Sequence, residues 1–464
     1  MTHQDSHAGS DLAGARVTVM GLGLFGGGVA AARWAHAHGA RVCVTDLRDA
    51  ETLAPSLEAL ANVPVQLVLG EHREQDFRDA DHVVANPAVP LDNRFLGIAR
   101  DAGVTITSEF EWALDALPGR VVLVTGTQGK SSTTHFLGQL LQATDGPGSR
   151  THVGGNLGRS LLDVIDQIGP NDTSVLEVSS YQLDALRPGP RDHVELVAIT
   201  NVLADHLERH ADLASYAAAK ARVLDLIREG GTALVPTACV GEATFATRDD
   251  VRVLPFGPGT GHTRMNGRFV AEGTDLGAVE HLTVPGAFQW DNLGLALSCA
   301  LALGRDPMAL AATISSLTGL PHRLEALDEV AGRPVLDNGV STTPDSTLAA
   351  LDSVPAPCTL LIGGRPKQGL TFDELAMVAA MRGDRIVAFG EAADQIARTC
   401  ASRGAFVVTA SSFHEAVPIA LSRTPAGQTL LFSPACSSFD SHANFRARAA
   451  DFRSLLVRHN APRG

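Results

Sequence analysis

The sequence lacks the features of a membrane protein, a secreted protein or a protein with a cysteine-bound zinc site. Its six cysteines are scattered singly, without the CxxC pairs of a zinc or redox site, so we expect reduced thiols. No apolar run approaches the roughly 20 residues that a membrane span needs. The start, MTHQDSHAGSD, has neither the basic nor the apolar region of a signal peptide, and residues 1–12 are expected to form a disordered tail. These absences predict a cytoplasmic protein without membrane insertion.

The chain also lacks an excess of positive charge. Lys and Arg number 37 against 51 Asp and Glu, which gives a net charge of −14. This balance argues against a nucleic-acid groove or an anionic membrane surface as the main partner. The composition, with 45% hydrophobic and 19% charged residues, is that of an ordinary globular protein. Any phosphate site must therefore be local.

Short β-branched runs alternate with Ala- and Leu-rich helical stretches along the chain, which is typical of parallel sheets covered by helices. At 464 residues the chain exceeds one ordinary core, and domains of roughly 100–200 residues suggest three. The segment LPGR interrupts a helical stretch before a new strand, and a further alternation of strands and helices begins near residue 320. We therefore expect three α/β domains, at residues 1–118, 119–319 and 320–464. The strand candidates are RVTVM, RVCVTD and HVVAN in the first, VVLVT in the second, and VLD, TLLIGG, RIVAFG, AFVVTA and TLLFSP in the third.

The strongest motif is VVLVTGTQGKSSTTHFLGQLL, in which a strand leads through a glycine-containing turn into an amphipathic helix. Glycines let backbone N–H groups close around phosphates, and the helix N-terminus adds positive potential. Lys130 is expected to reach the terminal phosphates, while a hydroxyl coordinates Mg²⁺. Val124 stands where a strict P-loop has glycine, and the alternative is a tight turn with an incidental lysine. The expected ATP-binding residues of this motif are Gly126, Thr127, Gln128, Gly129, Lys130, Ser131 and Ser132.

A second glycine cluster, GLGLFG, follows the strand RVTVM, and Asp46 ends the next strand 20 residues after Gly26. That spacing is typical of dinucleotide-binding folds, in which the acidic residue accepts a ribose or base hydrogen bond. Alone it would predict a dehydrogenase. Because a P-loop follows in the next block, we expect a nucleotide-tethered substrate here and ATP there. The alternative is a close-packed turn without a ligand.

Three polar residues of the middle block stand among apolar neighbours, namely Glu177, His206 and Lys220. Charged groups at strand ends and helix starts near a P-loop can bind metal or phosphate. Taken singly, each is more readily interpreted as a paired structural residue than as a ligand. Their common location beyond the P-loop strand favours the functional interpretation.

A series of motifs follows in order along the chain: GLGLFGGG, NPAVP, VTGTQGKSSTT, HVGGNLG, LEVSSYQLD, ITNVLADHLERH, YAAAKARV, GLPHRLE, STTPDSTLAAL, GGRPKQGL and SPACSSFDSHANF. With these motifs the chain resembles the Mur ligases, in their glutamate-adding branch, over about residues 17–452. The resemblance implies an N-terminal Rossmann-like domain for a UDP group, a central P-loop ATPase domain and a C-terminal Rossmann-like domain that brings the amino acid.

The resemblance implies a monomeric, ATP-dependent ligase of peptidoglycan precursor synthesis. Such an enzyme joins glutamate to a UDP-linked muramoyl substrate through an acyl phosphate, and the sequence does not decide between D- and L-glutamate. One alternative is a sister Mur or folylpolyglutamate-type ligase that uses another amino acid. The other is a nucleotide-binding regulator without catalysis.

The resemblance also implies roles for single residues. Lys130, His206 and Lys220 are the implied catalytic residues, and Lys220 is expected to be carbamylated, since a carbamate turns a cation into an anionic oxygen ligand. The implied ligands of two Mg²⁺ ions are Ser131, Glu177, His206 and Lys220. The implied substrate contacts are Gly23, Phe25, Asp46, Arg48 and Asn156 for the UDP-linked substrate, Asn292 and Arg323 for ATP, and Thr342, Lys367, Ser438 and Phe445 for glutamate.

The sequence departs from the family pattern at several positions. They are Gln128 for a usual Asn, Phe288 and Gln289 for His and Asn, Phe25 for a small polar residue, and Asn338-Gly339-Val340 for Asp-Ser-Lys. Asp337, one position earlier, is the expected substitute for the missing carboxylate. No pattern in the sequence indicates a residue that replaces the positive charge of the lysine lost at Val340.

Overall fold

The computed structural model describes residues 12–156, 160–203, 212–257, 260, 262–265, 267–271, 273–278, 284–367 and 369–460. The tail expected at residues 1–12 therefore lies outside the described residues except for its last one. Leu12 is only 1% exposed and packs in the core of the first sheet. This residue belongs to the folded chain and not to a tail.

The first block forms a five-stranded parallel sheet in the order β3-β2-β1-β4-β5. Its strands are β1 Arg16–Met20, β2 Arg41–Asp46, β3 Gln66–Leu69, β4 His82–Ala85 and β5 Thr105–Thr107. Its helices are α1 Gly27–Ala37, α2 Ala54–Ala59, α3 Glu74–Arg78, α4 Arg94–Asp101 and α5 Glu109–Ala116. The strand order reverses between β1 and β4, and in such sheets ligands bind where the order reverses.

The second block forms a six-stranded parallel sheet in the order β11-β10-β9-β6-β8-β7. Its strands are β6 Arg120–Thr125, β7 Thr151–Gly155, β8 Thr173–Glu177, β9 Val194–Ile199, β10 Thr232–Pro236 and β11 Arg252–Phe256. The helices are α6 Lys130–Ala143, α7 Ser180–Ala185 and α8 Leu213–Ala221. A small sheet of β12 His262–Met265, β13 Arg268–Ala271 and β14 Thr274–Ala278 follows, and then α9 Ala287–Ala302 and α10 Pro307–Thr313.

The third block forms another six-stranded sheet, in the order β15-β16-β20-β17-β18-β19, in which only the β15–β16 pair is antiparallel. Its strands are β15 Glu325–Leu327, β16 Val335–Asp337, β17 Thr359–Gly363, β18 Arg385–Phe389, β19 Phe406–Thr409 and β20 Leu430–Phe432. Its helices are α11 Pro344–Asp352, α12 Asp373–Arg382, α13 Ala393–Arg403, α14 Phe413–Arg423 and α15 Phe445–Asn460.

All strand candidates named from the sequence occur as strands, and the edge strand β19 is partly exposed whereas the central strands are buried. Val121, Val122, Leu123 and Val124 of β6 are fully buried, as expected of a central strand in a parallel sheet. Among the described residues, no helix is long and apolar enough to cross a membrane.

The chain divides into two compact units, and the three domains expected at residues 1–118, 119–319 and 320–464 stay a prediction. The first unit contains Met1–Gly277 and Asn292–Thr313, and the second contains Ala278–Asp291 and Ile314–Gly464. The sheets of the first and second blocks thus belong to one unit. The six-stranded sheet of the third block forms the core of the other unit.

A buried carboxylate joins the first two sheets. Glu111 of α5 is completely buried and accepts a hydrogen bond from Thr107 Oγ1 at 3.0 Å. Arg187, which follows α7, donates to it from its backbone N at 3.0 Å and from Nε at 2.8 Å. Arg191 adds an ion pair at 3.4 Å. This set of charge-assisted hydrogen bonds ties α5 to the middle block.

Removal of the Glu111 carboxylate should destabilise the first unit. We expect Glu111→Ala to lower the free energy of unfolding by about 1.5–3 kcal/mol, because it removes charge-assisted hydrogen bonds in the interior while both arginines keep Asp115 as a partner. Urea unfolding followed by tryptophan fluorescence measures the loss, since Trp112 is the neighbouring residue and is itself buried.

The control is Glu74→Ala, which removes an exposed carboxylate paired with Arg78 and Arg94. Exposed ion pairs contribute at most about 1 kcal/mol, so this variant should unfold close to the wild-type urea concentration. Equal destabilisation by the two substitutions would contradict the special role of Glu111.

Candidate functional site

The loop between β6 and α6 has the geometry of a phosphate-binding turn. Gly126 has a φ of 142° and Gly129 a φ of 82°, in the left-handed region that favours glycine. The N-terminus of the 14-residue helix α6 follows at once, so its first backbone N–H groups face the loop. Lys130 Nζ donates to the carbonyl of Thr127 at 2.8 Å. The structure therefore forms the strand, loop and helix order that the motif predicts.

Two residues that follow β9 hold this loop in place. Asn201 accepts from Thr127 N through its carbonyl at 2.9 Å and from Gln128 N through its side chain at 2.9 Å. Thr200 Oγ1 donates to the carbonyl of Gln128 at 2.5 Å. A Cβ atom at Gly126 would lie 1.9 Å from Thr200 Oγ1, so only glycine fits there. We call Thr200 and Asn201 the loop clasp; both lie in the motif ITNVLADHLERH, and neither was predicted from the sequence to have a role.

Helix α9 brings Asn292 to the same loop. A Cβ atom at Gly129 would lie 2.1 Å from Asn292 Oδ1, so the two residues are in close contact. This proximity agrees with the expected neighbourhood of Asn292, while its contact with ATP stays a prediction. Gln128, which departs from the family pattern, has an exposed side chain, and its backbone makes the contacts described above.

Glu177 ends β8 and is linked to Asn156 in two ways. Asn156 N donates to the carbonyl of Glu177 at 2.8 Å, and Asn156 Nδ2 donates to Glu177 Oε1 at 3.1 Å. Glu177 is 2% exposed, and its second oxygen, Oε2, is buried without a hydrogen-bond partner among the described residues. A buried carboxylate oxygen is costly to leave unsatisfied, and a cation would satisfy it. Glu177 therefore fits a ligand of Mg²⁺.

Lys220 of α8 also reaches the phosphate-binding loop. It is 1% exposed, and its Nζ donates to the carbonyl of Gly126 at 2.6 Å and lies 4.2 Å above the ring of Tyr216. Ser131 and Ser132 are buried in the first turn of α6. His206, the remaining expected metal ligand, lies outside the described residues.

The glycine-rich turn after β1 is tied to the end of β2. Asp46 is 4% exposed and accepts from Gly23 N at 3.2 Å. Arg48 pairs with both its oxygens, at 3.0 and 2.9 Å. Burial raises the pKa of Asp46, but the hydrogen bonds from Arg48 and Gly23 outweigh burial and hold that pKa below its usual value. Asp46 thus fixes the turn and orients Arg48, whereas Phe25 is 89% exposed beside it.

In the second unit, two loops expected to hold glutamate are joined by an antiparallel bridge between Arg365 and Ser437. Ser438 follows and is 2% exposed, while Lys367 is exposed. Arg448 of α15 is fully buried beneath them. Its guanidinium donates to three loop carbonyls, those of Gly363 at 3.3 Å, Cys436 at 2.9 Å and Ser437 at 3.1 Å. Burial lowers the pKa of Arg448 to about 10.

Arg448 could not be recognised as a site residue from the sequence. It lies in a polar helical stretch that follows Ser441 in the sequence. Charged side chains in such stretches normally face solvent. Only the fold shows that its guanidinium lies under the two loops. Arg323 and Thr342 are half-buried on the turns before β15 and after β16, and Phe445 is the first residue of α15.

The departures at positions 289 and 338 have local explanations. Asn338 accepts from Leu324 N at 3.2 Å and donates to Ser433 Oγ at 3.0 Å, so its amide joins two segments. Gln289 donates to the carbonyl of Arg323 at 3.1 Å. Asp337 is fully buried and pairs with Arg453 at 2.9 Å. A cation therefore does lie close to the altered segment, although no pattern in the sequence indicated it.

The fold and this loop define a P-loop protein with three α/β blocks, and comparisons with known proteins identify the group. The family model of the Mur ligase middle domain matches residues 124–300, and that of the MurD-like N-terminal domain matches residues 15–108. A UDP-N-acetylmuramoylalanine--D-glutamate ligase of Geotalea uraniireducens is 34% identical over 450 residues, 94% of this chain and 96% of the relative. One of the same name from Gloeobacter violaceus is 35% identical over 451 residues, 96% and 99% of the two chains. The chain belongs to the Mur ligase family.

Solved structures agree in fold. A UDP-N-acetylmuramate-alanine ligase of Thermotoga maritima matches with a TM-score of 0.62 and 19% identity, covering 96% of this chain and 99% of the other. A pseudomurein peptide ligase type C of Methanothermus fervidus matches with a TM-score of 0.57 and 14% identity over the same shares. At these identities the likeness concerns the fold alone. It confirms the expected α/β architecture.

The loop clasp predicts a selective binding defect. Thr200→Val keeps the shape of the side chain but removes its hydrogen bond to the Gln128 carbonyl, worth about 1 kcal/mol. We expect the Kd for ATP to rise about 5-fold, measured by equilibrium titration with a fluorescent ATP analogue.

Thr359→Val is the matched control. Its hydroxyl is buried in β17 without a hydrogen-bond partner among the residues described, so its removal should leave the Kd unchanged. An unchanged Kd in Thr200→Val as well would show that the loop keeps its shape without the clasp.

Proposed function

We propose that the chain is an ATP-dependent ligase that joins D-glutamate to UDP-N-acetylmuramoyl-L-alanine in peptidoglycan precursor synthesis. The observation that carries this proposal is the grouping of a phosphate-binding loop, the unsatisfied oxygen of Glu177 and the amine of Lys220 in one unit. Its support from relatives is the shared name of ligases that match along 94–96% of the chain.

The chemistry explains why a ligase needs such a site. A carboxylate does not react with an amine in water because its oxygen is a poor leaving group. Transfer of the terminal phosphoryl group of ATP to the alanine carboxylate gives an acyl phosphate. The glutamate nitrogen then forms a bond to the acyl carbon, loses a proton, and the C–O bond to phosphate breaks. Exclusion of water protects the acyl phosphate from hydrolysis.

The first unit supplies the groups for phosphoryl transfer. We assign the backbone N–H groups of the Gly126–Gly129 loop and the ammonium of Lys130 to the ATP phosphates. Ser131, Glu177, His206 and Lys220 would hold two Mg²⁺ ions. When bound, Mg²⁺ neutralises negative charge on the transferring phosphoryl group. Asn292 would contact ATP, and the same role is proposed for Arg323 in the second unit.

The remaining assignments concern the two other substrates. Gly23, Phe25 and Arg48, oriented by Asp46, would receive the UDP group, and the amide of Asn156 the muramoyl part. In the second unit the glutamate carboxylates would be held by Thr342, Lys367, Ser438 and the backbone at Phe445. Lys367 is exposed and would be the charge partner of a carboxylate. A monomer in the cytoplasm, where UDP-linked precursors and ATP are available, completes the proposal.

Phosphate release tests the function directly. The purified chain, ATP, Mg²⁺ and UDP-N-acetylmuramoyl-L-alanine should release phosphate with D-glutamate but not with L-glutamate, L-lysine or L-alanine. We expect Lys130→Ala to abolish release, because a cation on the transferring phosphoryl group contributes several kcal/mol in a dry site. Release with another amino acid would indicate a sister ligase, and ATP binding without release a regulator. A variant with more than about a tenth of the rate would refute the role of Lys130, since a tenfold loss is only about 1.4 kcal/mol.

The carbamate on Lys220 has its own test. The neutral or protonated amine next to the Gly126 carbonyl is a poor metal ligand, whereas a carbamate formed with CO₂ would provide anionic oxygens. We expect Lys220→Ala to be nearly inactive and to recover part of its activity with added formate or acetate. Full activity of the wild type in CO₂-free buffer, without added mass on Lys220, would rule the carbamate out.

A further inference from the structure

A cluster of charged side chains surrounds the end of β16 in the second unit. Asp337 accepts hydrogen bonds from His322 Nδ1 at 2.7 Å, and from Arg453 Nε at 3.2 Å and Nη2 at 2.9 Å. Its other oxygen accepts from Gly339 N at 2.9 Å. Asp337 is completely buried, so these donors are its substitutes for water.

Arg453 also reaches a second carboxylate. Its Nη2 donates to Glu325 Oε2, the same oxygen that accepts from His322 N at 2.8 Å. Glu325 and Asp337 face each other in the antiparallel β15–β16 pair. The ligand atoms of His322, Glu325 and Asp337 lie within 4.8 Å of one another, as a metal would require. The guanidinium, however, already pairs with both carboxylates, so the cluster is an ion-pair bridge.

The bridge connects three segments to which the proposed function assigns ligands. His322 precedes Arg323, the residue assigned to ATP, and its carbonyl accepts from Val340 N at 3.2 Å on the turn that leads to Thr342. The ring of His322 meets that of Phe445 edge to face, with centroids 6.4 Å apart. Arg453 itself lies two turns further along the helix that Phe445 begins.

We infer that Arg453, acting through Asp337 and Glu325, is the positioning residue that sets Arg323, Thr342 and Phe445 in register for the proposed ligation. The inference rests on the proposed function. It also gives the altered segment at residues 338–340 a physical account: a guanidinium from α15 neutralises Asp337 and fixes the turn, in a chain whose position 340 is valine.

Arginine is required for this bridge because its planar fork presents several donors in fixed directions. A lysine would retain the charge but, as a compact ammonium, would not bond both carboxylates in the same geometry. Arg453→Lys is therefore the conservative variant that separates the bridging geometry from the charge.

The test is steady-state kinetics on the full chain with all three substrates varied in turn. We expect Arg453→Met to lower kcat/KM for D-glutamate and for ATP on the order of 100-fold, as displaced ligand groups do. The KM for UDP-N-acetylmuramoyl-L-alanine should stay unchanged, since its assigned contacts lie in the first unit. Arg453→Lys should lower the same two kcat/KM values by a smaller factor. If Arg453→Met fails to fold, Arg453→Lys provides the test.

The matched control is Arg458→Met, on the same helix, where the side chain is exposed and forms no ion pair among the described residues. It should behave as wild type. The double variant Arg453→Met with Asp337→Asn removes the unpaired charge without restoring the bridge. Recovery of both kcat/KM values in the double variant would overturn the positioning role, as would wild-type kinetics in Arg453→Met. An inactive wild-type chain would refute the proposed function instead.

Discussion

The hydrogen bonds between the Gly126–Gly129 loop and the chain after β9 are the constraint on which the first unit depends. Backbone N–H groups bind an anion well only when the loop already has the binding shape, because ordering it on binding costs conformational entropy. Thr200 and Asn201 provide this order by holding the amide and the carbonyl of Gln128. The close approach of Thr200 in turn requires glycine at position 126. The segment that follows β9 therefore holds the loop after β6 in its binding shape.

Three cations at the expected sites are held by backbone carbonyls. Lys130 and Lys220 both donate to carbonyls of the same loop, those of Thr127 and Gly126. A bound phosphate would compete with the Thr127 carbonyl for the ammonium of Lys130, whereas a carbamate on Lys220 would replace the ammonium that now donates to Gly126. Arg448 supports the loops of the second unit in a comparable way, with three carbonyl acceptors and no carboxylate partner among its described hydrogen bonds. Backbone carbonyls thus hold positive charge at the phosphate-binding loop and beneath the loops of the second unit, although the net charge is −14.

The residues with expected roles are divided between the two compact units. Those assigned to the UDP group, to the metal ions and to most of the ATP contacts belong to the first, and those assigned to glutamate belong to the second. The buried carboxylate of Glu111 makes the first two sheets cohere, because an anion without its two arginines would be costly to bury. Arg453 performs the corresponding task inside the second unit, where it joins β15, β16 and α15.

The strands, the α/β class and the position of the phosphate-binding loop could be predicted from the amino acids alone, because they depend on local patterns: apolar runs of strand length, and glycines followed by a helix start. Glu177 and Lys220 could be chosen as candidates in the same way, since a charged residue among apolar neighbours is conspicuous, and their roles stay predictions.

The folded chain was needed to show that Thr200 and Asn201 clasp the loop, that Arg448 supports two distant loops, and that Arg453 lies on Asp337. Thr200 and Gln128 stand 72 positions apart, Arg448 and Gly363 stand 85 apart, and Arg453 and Asp337 stand 116 apart. No local pattern encodes such pairs, because hydrogen-bond partners are selected by the packing of sheets and helices and not by spacing along the chain.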